Sequence, residues 1–217
     1  MKILFTGGGT LGPVTPLLAL IETWRVLDSN TKYTWVGTAS GPERALVEKH
    51  YDIPFRVIPV ARIPRYVSIE WVLFPFLFLS AFFRSLQIIR AEKPDFVIGA
   101  GGYTQVPLIF AATVFGVPSV VLQPDVEPLL SNRLVASCVK RIFVTWPQTA
   151  SFFSPEKTRV TGNPVRPSLF QGSRDRAISR FHLDANKPTL LVFGGGTGAR
   201  WLNETMEHIK GSLKKKM

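Results

Sequence analysis

Glycine-rich turns are the segments of this chain whose residue types and spacing could do chemistry, and that chemistry is the binding of an anion. Gly7-Gly8-Gly9 follows the apolar run 2–6 and precedes a helix-forming sequence at 16–20. Glycine permits a tight turn, and unpaired N–H groups at a helix start, with the helix dipole, attract phosphate or pyrophosphate. A turn that only lets a helix pack closely against its strand has the same composition, so this segment alone leaves both interpretations open.

The spacing within the first turn narrows the ligand class. Its sequence, GGGTLG, matches neither the GxGxxG pattern nor a P-loop, and no Lys-Ser or Lys-Thr pair follows it, so a dinucleotide or ATP site is not predicted. The same pattern returns at 96–107, where an apolar run leads into Gly101-Gly102, two hydroxyl residues and a proline. Because the carboxyl ends of parallel strands form one crevice, we expect the two turns to share a site.

The elements that position these turns follow from hydrophobic patterning. Apolar runs predict buried parallel strands, and the stretches between them have the periodicity of helices. Predicted strands cover 2–6, 33–37, 54–60, 96–99, 119–122 and 141–144. The first predicted helix starts at Pro16 with Thr15 as its cap, and others cover 43–50 and 107–114. A further predicted helix contains the apolar stretch 71–83 and is ended by Lys93-Pro94-Asp95. The predicted fold class is α/β, a Rossmann-like doubly wound parallel sheet.

The predicted domain organisation has three parts. Residues 1–166 form the sheet domain, 167–187 a polar linker, and 188–217 the start of a second domain. That last part has one predicted strand (188–193), a third glycine-rich turn and one helix (200–213). A single strand-helix unit cannot bury its own faces, so we expect it to be the opening of an incomplete domain.

Composition and charge limit the partners. The chain has 217 residues, 46% hydrophobic and 19% charged, which is typical of a globular protein. Its net charge of +11 predicts an anionic substrate or an anionic membrane surface. Nucleic acid is not predicted, because the basic residues are scattered and no aromatic RNA-binding signature accompanies them. Cys138 is the only cysteine, so we expect no disulfide framework, and no metal or cofactor is predicted. The N-terminus lacks a signal-peptide pattern.

The apolar stretch 71–83 (WVLFPFLFLSAFF) is the second unusual feature. It has no charge, but it is shorter than the roughly 20 residues that a membrane span needs. A core helix is one interpretation; a helix lying in the lipid headgroup region is the other, which the aromatic density and nearby basic residues favour. The basic residues are Arg62, Arg65, Arg84 and Arg90, and the predicted membrane contacts are Trp71, Phe74, Phe76, Phe78, Phe82 and Phe83. Pro75 is expected to kink or start this helix.

Five motifs, in order, make the chain resemble the MurG-like family of N-acetylglucosaminyltransferases, which have the GT-B fold. The matches cover the family's acceptor half and the start of its donor half. They are GGTLGPVTP at 8–16 against GGTGGHxxP, Arg65-Tyr66 against RRY, GGY at 101–103, GNPVR at 162–166 without change, and 194–203 against GGSxGAxxxN.

The resemblance implies transfer of N-acetylglucosamine from UDP-N-acetylglucosamine to the sugar hydroxyl of a lipid-linked pyrophosphate, with inversion and without a metal. It implies a peripheral protein on the cytoplasmic face of the membrane. The implied acceptor pyrophosphate site is Gly9, Thr10, Leu11, Gly12, Gly101, Gly102, Tyr103 and Thr104. The implied donor-binding residues are Asn163, Arg166, Gly196 and Thr197.

The chain also departs from the family pattern. The histidine of GGTGGH, which would accept the proton of the acceptor hydroxyl, is Pro13 here. The family's EQN loop aligns with Gln123-Pro124-Asp125, so we hypothesise that Asp125 is the general base. The alternative is that Asp125 only caps the following turn. The serine of GGSxGA is Gly196.

Two functions therefore remain open on the sequence. The first is a glycosyltransferase, either cut short or completed by a separate donor-domain chain, as in the split eukaryotic enzyme of this kind. The second is a non-catalytic, membrane-docked binding protein for lipid pyrophosphates. Pro13 and the incomplete second domain favour the second.

Overall fold

The first part of the chain is built on one parallel sheet. A computed structural model describes residues 1–59, 70–195 and 198–216, without the side chains of 50, 70, 71 and 213–216. Within these ranges the strands are β1 Lys2–Thr6, β2 Lys32–Gly37, β3 Phe55–Val57, β4 Phe96–Gly99, β5 Ser119–Gln123, β6 Arg141–Val144 and β7 Thr158–Val160. All of them pair in parallel, in the order β3-β2-β1-β4-β5-β6-β7.

Helices connect the strands in the manner of a doubly wound fold. They are α1 Val14–Leu27, α2 Pro42–Tyr51, α3 Glu70–Glu92, α4 Gln105–Val114, α5 Leu130–Val135, α6 Arg174–Phe181 and α7 Arg200–Lys216. Two 3-10 helices cover Pro147–Phe152 and Pro167–Gln171. The chain divides into two compact units, Met1–Pro167 with the sheet and Ser168–Met217 with α6 and α7.

Successive side chains along the strands pack alternately into two hydrophobic layers, one on each face of the sheet. Ile3 and Phe5 of β1 join the layer that includes Leu17 of α1, whereas Leu4 between them joins the layer with α3 and α4. Strand order reverses between β1 and β4, because the chain first adds strands on one side of β1 and then on the other. The predicted Rossmann-like doubly wound sheet is confirmed, and the loops after β1 and β4 flank the point of reversal.

Several boundaries differ from the prediction. Helix α1 begins at Val14 with Pro13 as its N-cap, not at Pro16 with Thr15 as cap, because the Leu11 carbonyl already accepts the N–H groups of Val14 and Thr15. Strand β7 was not predicted, since three residues are too few to show a periodicity. Residues 188–193 form no strand, because no other strand of the described residues pairs with them.

Helix α3 ends at Glu92, in agreement with the predicted end at Lys93-Pro94-Asp95. Ile88 and Ile89, near its C-terminus, are buried in the core of the sheet unit. Pro75 lies inside the helix, so it does not start it. The portion Val72–Glu92 is long and apolar enough to cross a membrane by length and composition, with a mean hydropathy of 1.8. However, the residues of its C-terminal half pack into the core of the sheet unit, so length does not by itself indicate a span.

Candidate functional site

The two glycine turns that follow β1 and β4 pack directly against each other. We call residues 7–12 the first glycine turn and residues 100–104 the second. Gly102 has a φ of +92°, and a Cβ on it would lie 2.7 Å from the carbonyl oxygen of Gly8. Gly9 has a φ of +85°, and a Cβ there would lie 3.1 Å from the ring of Tyr103. Only glycine fits this close approach, so the turns form one continuous surface at the carboxyl edge of the sheet.

Two helix N-termini begin at this surface. Helix α1 starts after the first turn and α4 after the second. Neither N-cap residue, Pro13 or Thr104, caps its helix through its side chain, and neither helix has an acidic residue in its first turn. The Thr104 hydroxyl instead lies 3.0 Å from that of Thr6, and both are buried. The partial positive charges of two helix dipoles are thus left for an anion.

Two predicted ligand groups are already used within the protein. The N–H of Gly9 donates to Oε2 of Glu43 over 3.3 Å, and the N–H of Gly101 donates to Oε1 of Gln105 over 2.6 Å. Gly9 and Gly101 stay predicted acceptor-binding residues, although their N–H groups are bonded within the protein. The remaining predicted residues, Thr10, Leu11, Gly12, Gly102, Tyr103 and Thr104, all lie in the two turns.

A buried amide network fixes the second turn to the loop that follows β5. Gln105 donates to Oδ1 of Asn132 over 2.6 Å, and Asn132 donates to Oε1 of Gln123 over 2.7 Å. Gln123 in turn donates to the carbonyls of Asp125 and Glu127. All three amide side chains are fully buried. No role was predicted for these three residues from the sequence. The feature that could have indicated a buried amide is Gln105, a polar residue at the start of the apolar helix sequence QVPLIFAATV.

Asp125 lies in this loop, on the same edge of the sheet as the glycine turns. It is exposed, and among the described residues no group donates a hydrogen bond to its carboxylate. Capping of the following turn by its side chain is therefore not seen, while its assignment as a general base stays a prediction. Pro13, at the position of the family's histidine, offers no proton acceptor and forms the N-cap of α1.

The predicted donor-binding residues fall in different surroundings. Asn163 is exposed. Arg166 lies against the hydroxyl of Tyr51, which also donates to Oε1 of Glu22 over 2.6 Å. Burial and the Glu22 bond raise the pKa of Tyr51, and Arg166 partly opposes that shift. Gly196 and Thr197 lie outside the described residues, as does the predicted Arg65-Tyr66 motif.

Helix α3 presents an exposed apolar face. Its large exposed side chains are Val72, Leu73, Phe76, Leu77, Leu79 and Phe83. Phe78 and Phe82 are half-buried and pack against the core, with the Phe78 ring 6.3 Å from that of Phe110. Phe76 and Phe83 lie on the exposed face, and membrane contact stays a prediction for all four of these residues. Phe74 is half-buried beside Phe78, and the side chain of Trp71 lies outside the described residues.

The sheet order and the paired glycine turns define a doubly wound α/β domain, a class whose ligands bind at the point of strand reversal. The sequence profile of the glycosyltransferase family 28 N-terminal domain matches residues 3–144. The chain belongs to this family, in agreement with the resemblance noted from its motifs.

Curated relatives carry the same kind of description. The UDP-N-acetylglucosamine--N-acetylmuramyl-(pentapeptide) pyrophosphoryl-undecaprenol N-acetylglucosamine transferase of Clostridium kluyveri is 36% identical over 99% of this chain. An enzyme of the same name from Bacillus thuringiensis is 33% identical over 99% of the chain. In both cases the chain spans 60% of the relative's length.

Solved structures show the same fold. MurG of Acinetobacter baumannii superposes with a TM-score of 0.62, at 24% identity, over 78% of this chain and 47% of that one. The UDP-GlcNAc 2-epimerase of Neisseria meningitidis, bound to UDP-GlcNAc, gives a TM-score of 0.55 at 16% identity, over 75% and 46%. At these identities the likeness concerns the fold alone.

Proposed function

We propose that this chain is the acceptor-binding part of a glycosyltransferase that transfers N-acetylglucosamine from UDP-N-acetylglucosamine to a lipid-linked pyrophosphoryl sugar. The observation that carries the proposal is the direct packing of two glycine turns, each leading into an uncapped helix, at the strand reversal of a family 28 N-terminal domain. The names of the curated relatives supply the donor and acceptor classes.

The acceptor pyrophosphate would sit over the two turns. Backbone N–H groups at the start of α4 would donate to its oxygens, whereas α1 would contribute its dipole, because Val14 and Thr15 already donate to the Leu11 carbonyl and Pro16 has no N–H. Each helix dipole would add about 0.3–1 kcal/mol of attraction at an exposed site. The side chain of Tyr103, at the contact between the turns, would border the ligand. In the transfer step, Asp125 would take the proton of the acceptor hydroxyl while that oxygen attacks the sugar carbon and UDP departs.

The exposed face of α3 would bring the domain to the lipid. Phe76 and Phe83 are 69% and 60% exposed, and the same helix carries exposed Arg84 and Arg90. An apolar face beside basic residues suits the headgroup region of an anionic bilayer. This supports a peripheral protein on the cytoplasmic face of the membrane, where its lipid-linked acceptor resides.

Acceptor binding tests the proposal directly. The purified 217-residue chain is titrated with zwitterionic vesicles that contain, or lack, a lipid-linked pyrophosphoryl sugar. We expect binding that requires the pyrophosphate lipid, and a loss of about tenfold or more in Gly102→Ala, because its Cβ would separate the turns.

Gly116→Ala is the matched control, since Gly116 also has a positive φ, of +67°, but lies past the opposite end of α4 with nothing within 4 Å of a Cβ. Equal binding to both kinds of vesicle would overturn the proposal. An equal loss in both glycine variants would show that the site lies elsewhere.

Membrane contact is tested by the double variant Phe76→Ser/Phe83→Ser on anionic vesicles without acceptor. We expect the fraction of protein that sediments with the vesicles to fall several-fold. Each substitution loses the free energy of burying one phenylalanine ring in lipid, which is at most about 1.5–3 kcal/mol. The control is Val26→Ser/Leu27→Ser, which changes two exposed apolar residues at the end of α1, on the other face of the sheet. Vesicle binding that drops equally in both would contradict contact through α3.

A non-catalytic binding protein is the alternative, and Pro13 at the family's histidine position favours it. Labelled UDP-N-acetylglucosamine added to the acceptor-bound chain separates the two functions. Transfer of label that is lost in Asp125→Asn supports the enzyme and Asp125 as its base. Acceptor binding without UDP binding or transfer supports the binding protein, or a need for a separate donor-domain chain, which adding such a domain would reveal.

A further inference from the structure

Glu43 is a charged residue in a place where charge is rarely found. It lies at the second position of α2 and its side chain is fully buried. No ion pair between described residues includes it. A buried carboxylate without a cation needs hydrogen bonds to both oxygens, and Glu43 has them: Oε1 accepts the N–H of Thr38 over 3.0 Å and its hydroxyl over 2.6 Å, and Oε2 accepts the N–H of Gly9.

Three glycines make room for this carboxylate. A Cβ on Gly8 would lie 2.4 Å from Oε1, one on Gly41 would lie 2.0 Å from Oε2, and one on Gly37 would lie 3.2 Å from Oε1. These glycines come from the first glycine turn, the start of α2 and the end of β2. The glycine at position 8 is therefore required by Glu43, and the glycine at position 102 by the backbone of Gly8.

From these contacts we propose that Glu43 is a positioning residue that holds the first glycine turn in its ligand-binding shape. Its carboxylate lies against Gly8 and Gly9 of that turn. The carboxylate links the N–H of Gly9 to Thr38 in the loop after β2. The same turn also packs on Gly102 and Tyr103 of the second glycine turn. The effect of this hydrogen bond on acceptor binding rests on the proposed function, whereas the hydrogen bond between Gly9 and Glu43 does not.

A negative charge beside a site for anions would weaken binding if it faced the ligand. Here both carboxylate oxygens are turned inward onto three donors, and the group lies at the N-terminus of α2, where a negative charge is favoured. The arrangement thus gains a strong acceptor for the Gly9 N–H without presenting charge to the surface.

Glu43→Gln tests the tie with almost no change of shape. Each carboxylate oxygen accepts a backbone N–H. In either orientation, the NH₂ of a glutamine would therefore face one of these two N–H groups, donor against donor. Thr38 offers two donors to one oxygen, and we therefore expect the amide oxygen to stay there and the Gly9 bond to break. Hydrogen exchange at Gly9 should accelerate about tenfold or more, the equivalent of one lost hydrogen bond, while exchange in β1 and β4 stays unchanged.

Thr38→Val is the matched control, because it removes one bond to Oε1 and leaves the Gly9 bond in place. We expect it to lower the melting temperature with no change in Gly9 exchange. Vesicles with and without the lipid-linked pyrophosphoryl sugar give the second measurement, and the Kd should rise in Glu43→Gln more than in Thr38→Val.

The outcomes separate this inference from the proposed function. Unchanged Gly9 exchange in Glu43→Gln overturns the positioning role, whatever the binding result. Faster Gly9 exchange in that variant, in a chain whose unaltered form binds no pyrophosphate lipid, supports the tie and overturns the proposed function. Faster exchange with an unchanged Kd shows that the turn's shape does not govern binding, and this also overturns the positioning role.

Discussion

The segment around β1 and the segment 188–195 follow one pattern, an apolar run leading into glycines and then a helix, yet only the first contains a strand. Ile3, Leu4 and Phe5 are completely buried, and β1 pairs with β2 on one side and β4 on the other. By contrast, Leu191 and Phe193 are 76% and 77% exposed, and no described strand pairs with their backbone.

The difference shows what the pattern does and does not specify. Apolar residues and a glycine turn make a strand-turn-helix unit favourable, but the backbone N–H and C=O groups of a strand need neighbours to bond with. Each unit of the chain therefore has the structure that its own pairing partners allow.

Backbone hydrogen exchange should separate the two segments most strongly. In the 217-residue chain we expect amides 189–193 to exchange near the rate of an unstructured peptide, because no strand pairs with them. The amides of Phe96–Gly99, in the middle of the sheet, should be protected by at least about 1,000-fold, which corresponds to roughly 4 kcal/mol. Comparable protection of both segments, measured residue by residue, would contradict the comparison.

Two glycine-to-alanine changes probe the turns themselves. Gly102→Ala should lower the free energy of unfolding of the sheet unit by about 2–4 kcal/mol, since it adds a strained positive φ and a clash with the Gly8 carbonyl. Gly198→Ala has nearly the same φ, +83°, but meets nothing within 4 Å. In a urea titration followed by spectroscopic signals from the sheet unit, the unfolding midpoint of Gly198→Ala should equal that of the unaltered chain. Similar midpoints for both variants would argue against packed turns.

The amide network offers a third test. Asn132→Leu should cost about 2–3 kcal/mol in urea denaturation, because it leaves buried polar groups of Gln105 and Gln123 without their partner. Asn163→Ala is the control; Asn163 is exposed, and its loss should stay within about 0.5 kcal/mol. If Asn132→Leu were as mild, the second turn would not depend on this network.

The smallest effect concerns an ion-pair cluster at the opposite edge of the sheet from the glycine turns. Burial alone would raise the pKa of Glu92, but hydrogen bonds and charges from Lys2 and Arg56 outweigh it and hold the pKa below its ordinary value. A lowered carboxyl pKa stabilises the folded state at neutral pH, and the contribution disappears as pH falls through the folded-state pKa.

Glu92→Gln should therefore cost about 1 kcal/mol at pH 7, a modest figure because Lys2 and Arg56 are partly solvated, and almost nothing at pH 3. Glu48→Gln, in an exposed pair with Arg44, gives the baseline. The check is thermal unfolding of all three proteins across this pH range, and a cost in Glu92→Gln that does not depend on pH would refute the assignment.

The sequence was sufficient for the sheet and much less so for the site. Buried parallel strands such as β4 and β5 are continuous apolar runs, so their positions could be predicted. Strand β7, with the sequence TRV, has no such run and exists only because β6 offers an edge to pair with. The end of α3 could also be predicted, because a proline does not continue a helix, and α3 ends at Glu92, two residues before Pro94.

The site was predicted at the level of turns and not of individual atoms. Gly102 could be placed in a turn from its neighbours, but its contact with Gly8 depends on the pairing of β1 with β4. Glu43 looks like a surface residue near the start of a polar helix, and only folding brings it to Gly9. A charged residue close to Gly37 and Gly41 is the local sign that could have drawn attention to it.

The pairing of β1 with β4 also has a consequence for how the chain is made. Lys2 lies beside Asp95, its partner across 93 positions of sequence, with the backbone N–H of Lys2 bonded to that carboxylate. During translation β1 leaves the ribosome before β4, and synthesis of the 93 residues between Lys2 and Asp95 takes about 5–20 s at ordinary elongation rates. Throughout that interval β1 lacks the strand that pairs with one of its two edges.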